Sequence, residues 1–232
     1  MEKWRSGEVE KIVYFTCSKP KTRLMKLIFC ALAVLIFQSV NAQDSTTKYF
    51  IKEVGMYMTV PNSYQPISVE ENNRIKAKGA DLIEKANDIE VDASTTKDVL
   101  SIRKGKFNYL NMTVTPFRLV EKNGYEKTNQ EVKNIIFKSL EEGMPGLTLD
   151  STSSKIRIDG IPFEKFLVKV SKGEQLIMKM VLISKFYKGY DVGIAYVAVT
   201  PESYIELEKM VMTSTFDHLK STAKPGDPAP KK

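Results

Sequence analysis

Carboxylates that lie close together in the sequence are the first side chains that could do chemistry. Asp88, Glu90 and Asp92 alternate along the chain, and alternate side chains of an extended segment point to the same side. Three carboxylates on one side would suit a hard cation such as calcium. The segment lacks the glycine-containing loop and the ligand spacing of a calcium motif. We therefore interpret it as a solvated edge or loop and predict no metal site.

Two other acidic pairs stand at the ends of predicted helices. Glu70 and Glu71 come at a helix start, where negative side chains interact favourably with the helix dipole. A second pair near the end of the next helix is interpreted as a solvated face. A hydrolase that uses carboxylates alone stays open as a hypothesis, with candidate residues Glu90, Asp92, Glu141 and Glu142.

Serine and lysine side chains between Ser151 and Lys155 could supply a nucleophile and a base. Adjacent residues of a strand point to opposite faces, however, so Ser154 and Lys155 would not meet. The single histidine, His218, begins the polar C-terminal tail, and the sequence contains no Gly-x-Ser-x-Gly elbow. We therefore predict no catalytic residues, no bound cofactor and no enzymatic activity.

Both cysteines, Cys17 and Cys30, precede a predicted cleavage site. An apolar block at 27–37 follows a basic residue and precedes the small-residue exit at 40–42, which is the layout of a secretory signal. A block of this length spans about 16 Å as a helix, about half of a bilayer core. We predict cleavage after Ala42 and a mature chain without cysteine, in the periplasm or outside the cell.

The chain divides into four predicted segments. Residues 1–24 precede the signal and are interpreted as a non-native upstream extension or a short cytoplasmic segment. Residues 25–42 form the signal peptide, and residues 43–217 form a single folded domain. Residues 218–232 are mostly Lys, Pro, Ala, Ser, Gly and Asp, so they cannot bury enough apolar area to fold and are predicted to be disordered.

The formal net charge of +7 comes from the two ends of the chain. Residues 1–42 hold seven basic and three acidic side chains, and residues 218–232 hold four and one. The remaining segment has 24 of each sign. Contact with nucleic-acid phosphates needs clustered positive charge, so we predict no nucleic-acid partner. Membrane contact is expected only through the signal peptide during export.

The folded domain is organised around residues 163–200. Three apolar runs there are separated at Gly173 and Gly189, and glycine readily adopts the positive φ of hairpin turns. The middle run, 176–183, is apolar on both of its alternating faces. Such a strand belongs inside a sheet that is covered on both sides. The pattern therefore predicts an antiparallel meander with helices above and below it.

The other elements follow from alternation, breakers and capping signals. Capping boxes at Ser68 and Thr128 predict the starts of two helices, and Thr200 with Pro201 predicts the start of a third. Further strands are predicted at 49–60, 99–103, 109–115, 147–150 and 155–158, and helices at 69–87, 129–143 and 201–214. The inner face of the second helix is predicted to carry Val132, Ile135, Ile136 and Leu140.

This order of elements resembles the PsbP-like fold. The likeness covers about 49–216 and is carried by MYMTVP, IRIDGIPFEKFLVKV and YVAVTPESY, at 56–61, 156–170 and 196–204. The resemblance implies a single α+β domain in which helices cover both faces of an antiparallel sheet, an α/β/α sandwich. It also implies an exported bacterial protein with a binding role more than an activity. The signal sequence, which ends in Ala42 and Gln43, predicts export from a Gram-negative organism.

Two functional hypotheses from different classes follow. The favoured one is an exported, non-catalytic protein that binds a protein partner or an envelope component through a sheet edge or a helix face. The alternative is a carrier of an apolar small molecule in a cavity lined by Met56, Met58, Met178, Met180, Met210 and Met212, although core packing is the commoner explanation of these methionines. Four lysines of the meander are interpreted as solvent-facing positions beside Glu164, Glu174 and Asp191, namely Lys165, Lys169, Lys179 and Lys185.

Overall fold

A computed structural model describes residues 45–118 and 124–217 of the chain, and all of them belong to one compact unit. The predicted upstream extension, the signal peptide and the C-terminal tail lie outside the described residues. Those assignments stay predictions.

The described residues form ten strands and three helices. The strands are β1 (Thr46–Ile51), β2 (Met56–Pro61), β3 (Gln65–Pro66), β4 (Lys97–Lys104), β5 (Asn108–Pro116), β6 (Thr148–Ile158), β7 (Ile161–Lys172), β8 (Gln175–Tyr187), β9 (Tyr190–Ala198) and β10 (Thr215–Phe216). The helices are α1 (Val69–Asn87), α2 (Gly124–Gly143) and α3 (Pro201–Met212).

Two antiparallel sheets contain all ten strands. The larger has seven strands in the order β3-β4-β5-β9-β8-β7-β6, and the smaller has three in the order β1-β2-β10. The predicted meander is confirmed as β7, β8 and β9, whose turns contain Gly173 and Gly189 at positive φ. Strand β8 pairs with a strand on each side, as its two apolar faces predict.

Two strand predictions are wrong in their boundaries. The segment 49–60 is not one strand but the hairpin β1–β2, because the N–H of Gly55, at φ +69°, donates to the carbonyl of Ile51 and turns the chain. The predicted strands 147–150 and 155–158 are one continuous strand, β6. Its register with β7 is unbroken from Thr148 to Ile158, so pairing with a long neighbour decides its length.

The helix predictions succeed at two of three starts. Ser68 accepts a hydrogen bond from the Glu71 N–H at the start of α1, and Thr200 caps α3. Helix α2 instead begins at Gly124, and Thr128 lies inside it, where its hydroxyl donates to the Gly124 carbonyl. The capping box at Thr128 is therefore not used.

The two faces of the seven-stranded sheet are covered by different elements. One face packs against the three-stranded sheet and α3, and we call it the core face; its members include Met58, Phe163, Ile194 and Leu207. The opposite face lies under α1 and α2, and we call it the cleft face. The predicted α+β domain with helices on both faces is confirmed. The small sheet on the core face was not predicted.

Candidate ligand-binding cleft

The cleft face is covered by two antiparallel helices that separate over the middle of the sheet. They meet where Gly143 of α2 lies so close to Leu82 of α1 that a Cβ would collide with the leucine. Asn87 strengthens this contact, because its side-chain amide donates to Ser139 Oγ at 2.8 Å and to the Ile83 carbonyl at 3.0 Å. Away from this junction, the first half of α1 lies over β4 and β5.

The first half of α1 is held there by polar contacts with the sheet. Tyr109 on β5 donates its hydroxyl to Asn72 Oδ1 at 3.1 Å, and Lys76 pairs with Asp98 at 2.9 Å. Burial, with a smaller contribution from the Asp98 charge, raises the pKa of Tyr109 to about 12. The phenol therefore stays a neutral donor at physiological pH.

Helix α2 lies over the other side of the sheet face, above β7 and β8. Its sheet-facing stripe runs at helical spacing through Tyr125, Asn129, Lys133, Ile136 and Leu140. This corrects the predicted inner face, since Val132 is exposed. The physical reason is that the helix begins at Gly124, so the aromatic Tyr125 anchors its first turn.

An apolar cleft of about 300 Å³ opens between the two helices and the sheet. Its walls are Ile75 of α1 and Ile136 and Leu140 of α2. Its floor is formed by apolar side chains of three neighbouring strands, β7, β8 and β9, including Phe166, Val168, Met180, Leu182, Ala195 and Val197. The strand beneath the gap, β9, carries only Gly193 and Ala195 at its centre on this face, so little side-chain volume fills the space.

Polar side chains are buried between the first half of α2 and the sheet. Ser184 Oγ donates to Asn129 Oδ1 at 3.0 Å, and Tyr125 Oη donates to Asp191 Oδ1 at 2.8 Å. Burial raises the pKa of Asp191, and the bond from Tyr125 offsets only part of that rise. Lys133 also lies under α2, is 5% exposed and pairs with Glu164 at 3.8 Å. The cleft face is therefore apolar over its middle and polar at the start of α2.

A second group of polar side chains connects α3 to the sheets. Lys165 pairs with Glu208 and contacts the Tyr204 hydroxyl at 3.2 Å. Burial alone would lower the pKa of Lys165, but its bonds to Glu208 and Tyr204 raise it overall. On the other side of the helix, Glu206 accepts from Lys104 at 2.8 Å. These groups satisfy one another, so we interpret them as docking contacts of α3.

Another groove, of about 340 Å³, lies between α3 and the small sheet. It is lined by Thr46, Thr59, Pro61, Glu206, Lys209, Met210 and Thr213. Most of these side chains are polar, and water competes well for such groups. This groove offers less apolar contact to a ligand than the cleft does.

The carboxylates singled out by the sequence do not form a site. Asp88 closes α1 in the left-handed conformation, Glu90 is exposed, and Asp92 accepts from the Ser94 N–H at 2.8 Å. Its hydrogen bonds with Ser94 lower the pKa of Asp92. No group of three or more potential ligands for a metal occurs within 45–118 and 124–217. Glu141 and Glu142 are exposed at the end of α2, far along the sequence from the other pair.

Ser154 and Lys155 lie on the exposed edge strand β6 and face opposite sides, as predicted. Lys155 Nζ lies 3.5 Å from Glu164 Oε1 on the neighbouring strand.

The six methionines do not share one cavity. Met56, Met58 and Met210 are buried in the core face, and Met212 is exposed. The remaining two lie on the cleft face, where Met180 lines the cleft and Met178 lines a smaller cavity of about 120 Å³. The predicted Met-lined cavity is therefore wrong in its lining.

The lysines of the meander are not all solvent-facing. Lys169 pairs with Asp150 at 3.1 Å, and the Lys179 ammonium lies 4.0 Å from the centre of the Tyr204 ring. Lys165 is largely buried by α3. Asp191, expected beside solvent-facing lysines, is instead bound to Tyr125 under α2.

The residues that sequence reasoning missed are Lys133 and Ala195. From the sequence alone, Lys133 would be taken for a surface lysine. Its inward position follows from the rotation of α2, which is set by the helix start at Gly124. Ala195 lies in an apolar strand, and its small size matters only because two helices separate above it. The Gly193 and Ala195 spacing in β9 is the one sequence signal that could have indicated this space.

Comparison with solved structures finds similarity to the solution structure of cyanobacterial PsbP (CyanoP) from Synechocystis sp. PCC 6803. The likeness covers 77% of this chain and 96% of that chain, with a TM-score of 0.49 and 8% identity. The neighbour is a PsbP protein. Nothing about activity, ligand or partner is inferred from the likeness. No family model and no curated protein matches the chain.

Among the described residues, no helix has both the length and the apolar content that crossing a bilayer requires.

Proposed function

We propose that this protein is a non-catalytic binding protein that holds an apolar small molecule in the cleft between α1, α2 and the sheet. The observation that carries the proposal is the cleft itself, which has about 300 Å³ of space and an apolar lining. Ligand sites are mostly apolar concave pockets, and this volume is at the small end of their usual range.

The energetic basis is the removal of apolar surface from water. Burying apolar area contributes about 25 cal/mol per Å², so a ligand that fills the cleft gains affinity without any specific polar contact. The floor side chains gain as well, because they lack packing partners on the side of the open space. This proposal keeps the carrier hypothesis and replaces its methionine lining with the residues of the cleft face.

The test uses a neutral apolar dye, Nile red, titrated into the purified domain with fluorescence readout. The wild type should bind the dye saturably. Ala195→Leu should abolish binding because leucine fills the floor of the cleft. Lys169→Met, on the core face, is the matched control and should bind as the wild type does. Equal dye binding by Ala195→Leu and the wild type would contradict the proposal.

A protein partner at the sheet edge is a second candidate function. Strand β6 is the last strand of the seven-stranded sheet and is exposed over most of its length. An edge strand offers a row of backbone groups to which an extended peptide can add as a further strand. Ser153→Pro would remove a backbone donor from β6 and should abolish capture of such a partner without affecting dye binding.

Export remains part of the proposal and rests on the predicted signal peptide at 25–42. Mass analysis of the protein from the envelope fraction should find an N-terminus at Gln43. Recovery of the chain with its predicted signal intact in the cytoplasm would contradict export and leave the cleft proposal unaffected.

A further inference from the structure

We propose that the first half of α1, residues 69–78, is a movable wall of the cleft, which swings away from the sheet about Gly79 to admit and release a ligand. This inference rests on the proposed function, because it describes how the same cleft opens. It is carried by a difference between the two halves of α1, which are attached to the rest of the domain by different kinds of contact.

Helix α1 has little apolar anchorage. Within the described residues, neither buried apolar cluster contains a residue of α1, whereas Leu140 of α2 and Leu207 of α3 each belong to one. Only Asn72 and Ala86 are buried among the residues of α1. Packing of an apolar face supplies most of the stability of a helix in a protein. Helix α1 therefore depends on polar contacts and on α2 to stay in place.

The first half of α1 is attached to the sheet by polar side chains. Besides the bond from β5 to Asn72 and the ion pair of Lys76 with β4, Glu71 pairs with Arg103 of β4. The side chains of both ion pairs keep partial access to solvent, and such pairs are weak and screened by salt. The wall residue Ile75 lies between Asn72 and Lys76 in the sequence. Releasing these contacts would therefore move the α1 wall of the cleft.

The second half of α1, residues 80–87, is fixed to α2. Leu82 lies against Gly143 with no room for a Cβ on the glycine. The Asn87 amide donates to Ser139 Oγ at 2.8 Å, which ties the end of α1 to the neighbouring helix. None of these contacts involves the sheet, so this half can keep its place while the first half moves.

Gly79 lies at the boundary between the two halves. Its φ is not positive, and a Cβ on it would meet nothing within 4 Å, so neither the backbone conformation nor packing requires glycine there. Glycine in a helix interior lowers helix stability relative to alanine, and hinge positions are often small residues. The glycine therefore places the weakest point of α1 where its two kinds of attachment meet.

Distances between spin labels, measured by double electron–electron resonance, test the motion without a ligand. The predicted mature chain has no cysteine, so labels can be placed on introduced ones. Arg74→Cys with Ser153→Cys joins the first half of α1 to β6, and Lys85→Cys with Ser153→Cys is the matched pair for the second half. Raising NaCl from about 0.01 M to about 1 M shortens the Debye length from about 30 Å to about 3 Å. The first pair should then show longer and broader distances, and the second pair should not change.

Stopped-flow release of Nile red at low salt measures the consequence for a ligand. Lys76→Met removes an ion pair with the sheet and should speed release by about threefold. Lys85→Met removes an exposed ion pair within α1 and should leave release unchanged. Gly79→Ala should slow release by about fivefold, because it stiffens the hinge. Asn73→Ala also raises helix propensity at an exposed position of α1, but it leaves the hinge and should have no such effect.

The outcomes separate this inference from the proposed function. If Nile red binds but leaves the wild type, Lys76→Met and Gly79→Ala at the same rate, the movable wall is wrong and the cleft proposal stands. If the dye does not bind, the cleft proposal fails, and the label distances alone decide whether the first half of α1 moves. A distance from Arg74→Cys to Ser153→Cys that is as narrow at high salt as at low salt overturns the inference.

Discussion

The core face and the cleft face of the same sheet differ in how completely they are covered. The core face is closed by the small sheet and α3, and its largest side chains have almost no solvent access. The cleft face lies under two helices that touch between their C-terminal halves and separate over the cleft, and its fully buried apolar group is small. The difference indicates that the core face supplies most of the stability, and it leaves open the cleft that we propose as the binding site.

Buried polar groups follow the same division. Asn72, Asn129, Lys133 and Ser184 are buried under or on the helices of the cleft face. On the core side, the buried Ser203 and Ser214 satisfy the backbone at the ends of α3. On the cleft face these side chains bond mostly to side chains of the other layer, whereas on the core side they complete a helix end.

The largest effect should come from two phenylalanines on β7 that face opposite sides. Phe163 is buried in the core face, where its ring packs on Phe216, whereas Phe166 borders the cleft. Phe163→Ala should reduce the free energy of unfolding by about 3–5 kcal/mol. Phe166→Ala should cost at least about 1 kcal/mol less, because that ring already has fewer packing partners.

Urea denaturation followed by circular dichroism measures both values. Equal losses for the two variants would mean that the two faces contribute equally to stability.

Two alanines on β9 test the faces by adding side-chain volume instead of removing it. Ala198 is buried in the core face, and Ala195 lies on the floor of the cleft. Ala198→Leu should destabilise the fold by about 1–3 kcal/mol through overpacking. The free energy of unfolding of Ala195→Leu should stay within about 0.5 kcal/mol of the wild-type value, because the larger side chain enters open space. Thermal denaturation distinguishes them, and a severe loss for Ala195→Leu would show that the cleft is closed in solution.

The helix caps provide a smaller effect. Thr200→Ala at the start of α3 and Ser68→Ala at the start of α1 should each cost about 1 kcal/mol. Only Ser68→Ala should also speed exchange of a cleft-bound dye, because α1 forms a wall of the cleft. Stopped-flow dye release measures the rate. Faster release from Thr200→Ala would contradict the separation of the two faces.

The smallest effect concerns pH. Burial raises the pKa of Asp191 above its unfolded value, so the folded state holds a proton that the unfolded state releases. Stability from this group is therefore present at low pH and lost as pH rises through the raised pKa. Asp191→Asn keeps an acceptor for Tyr125, and its stability should decrease less than that of the wild type as the pH rises. Denaturation midpoints across the acidic range measure the slope, with Asp150→Asn on exposed β6 as control.

Local signals were sufficient for much of the fold. The meander, the start of α1 and the start of α3 follow from alternation, glycine turns and capping residues, which act over a few neighbouring residues. The sequence was less informative about strand lengths, which strand pairing decides, and about inward helix faces, which helix rotation decides. The length of β6 depends on β7, and the inward face of α2 depends on a start at Gly124 rather than at Thr128.

By itself, the sequence determined an α+β domain with a two-faced apolar meander and few side chains suited to catalysis. Only the tertiary structure decided where a ligand could bind. The cleft exists because helices from distant segments touch at Gly143 and part above the small residues of β9. Lys133 is buried beside Glu164 because the rotation of α2 turns it toward the sheet. Both depend on contacts between residues far apart in the chain, which periodicity and local propensity do not encode.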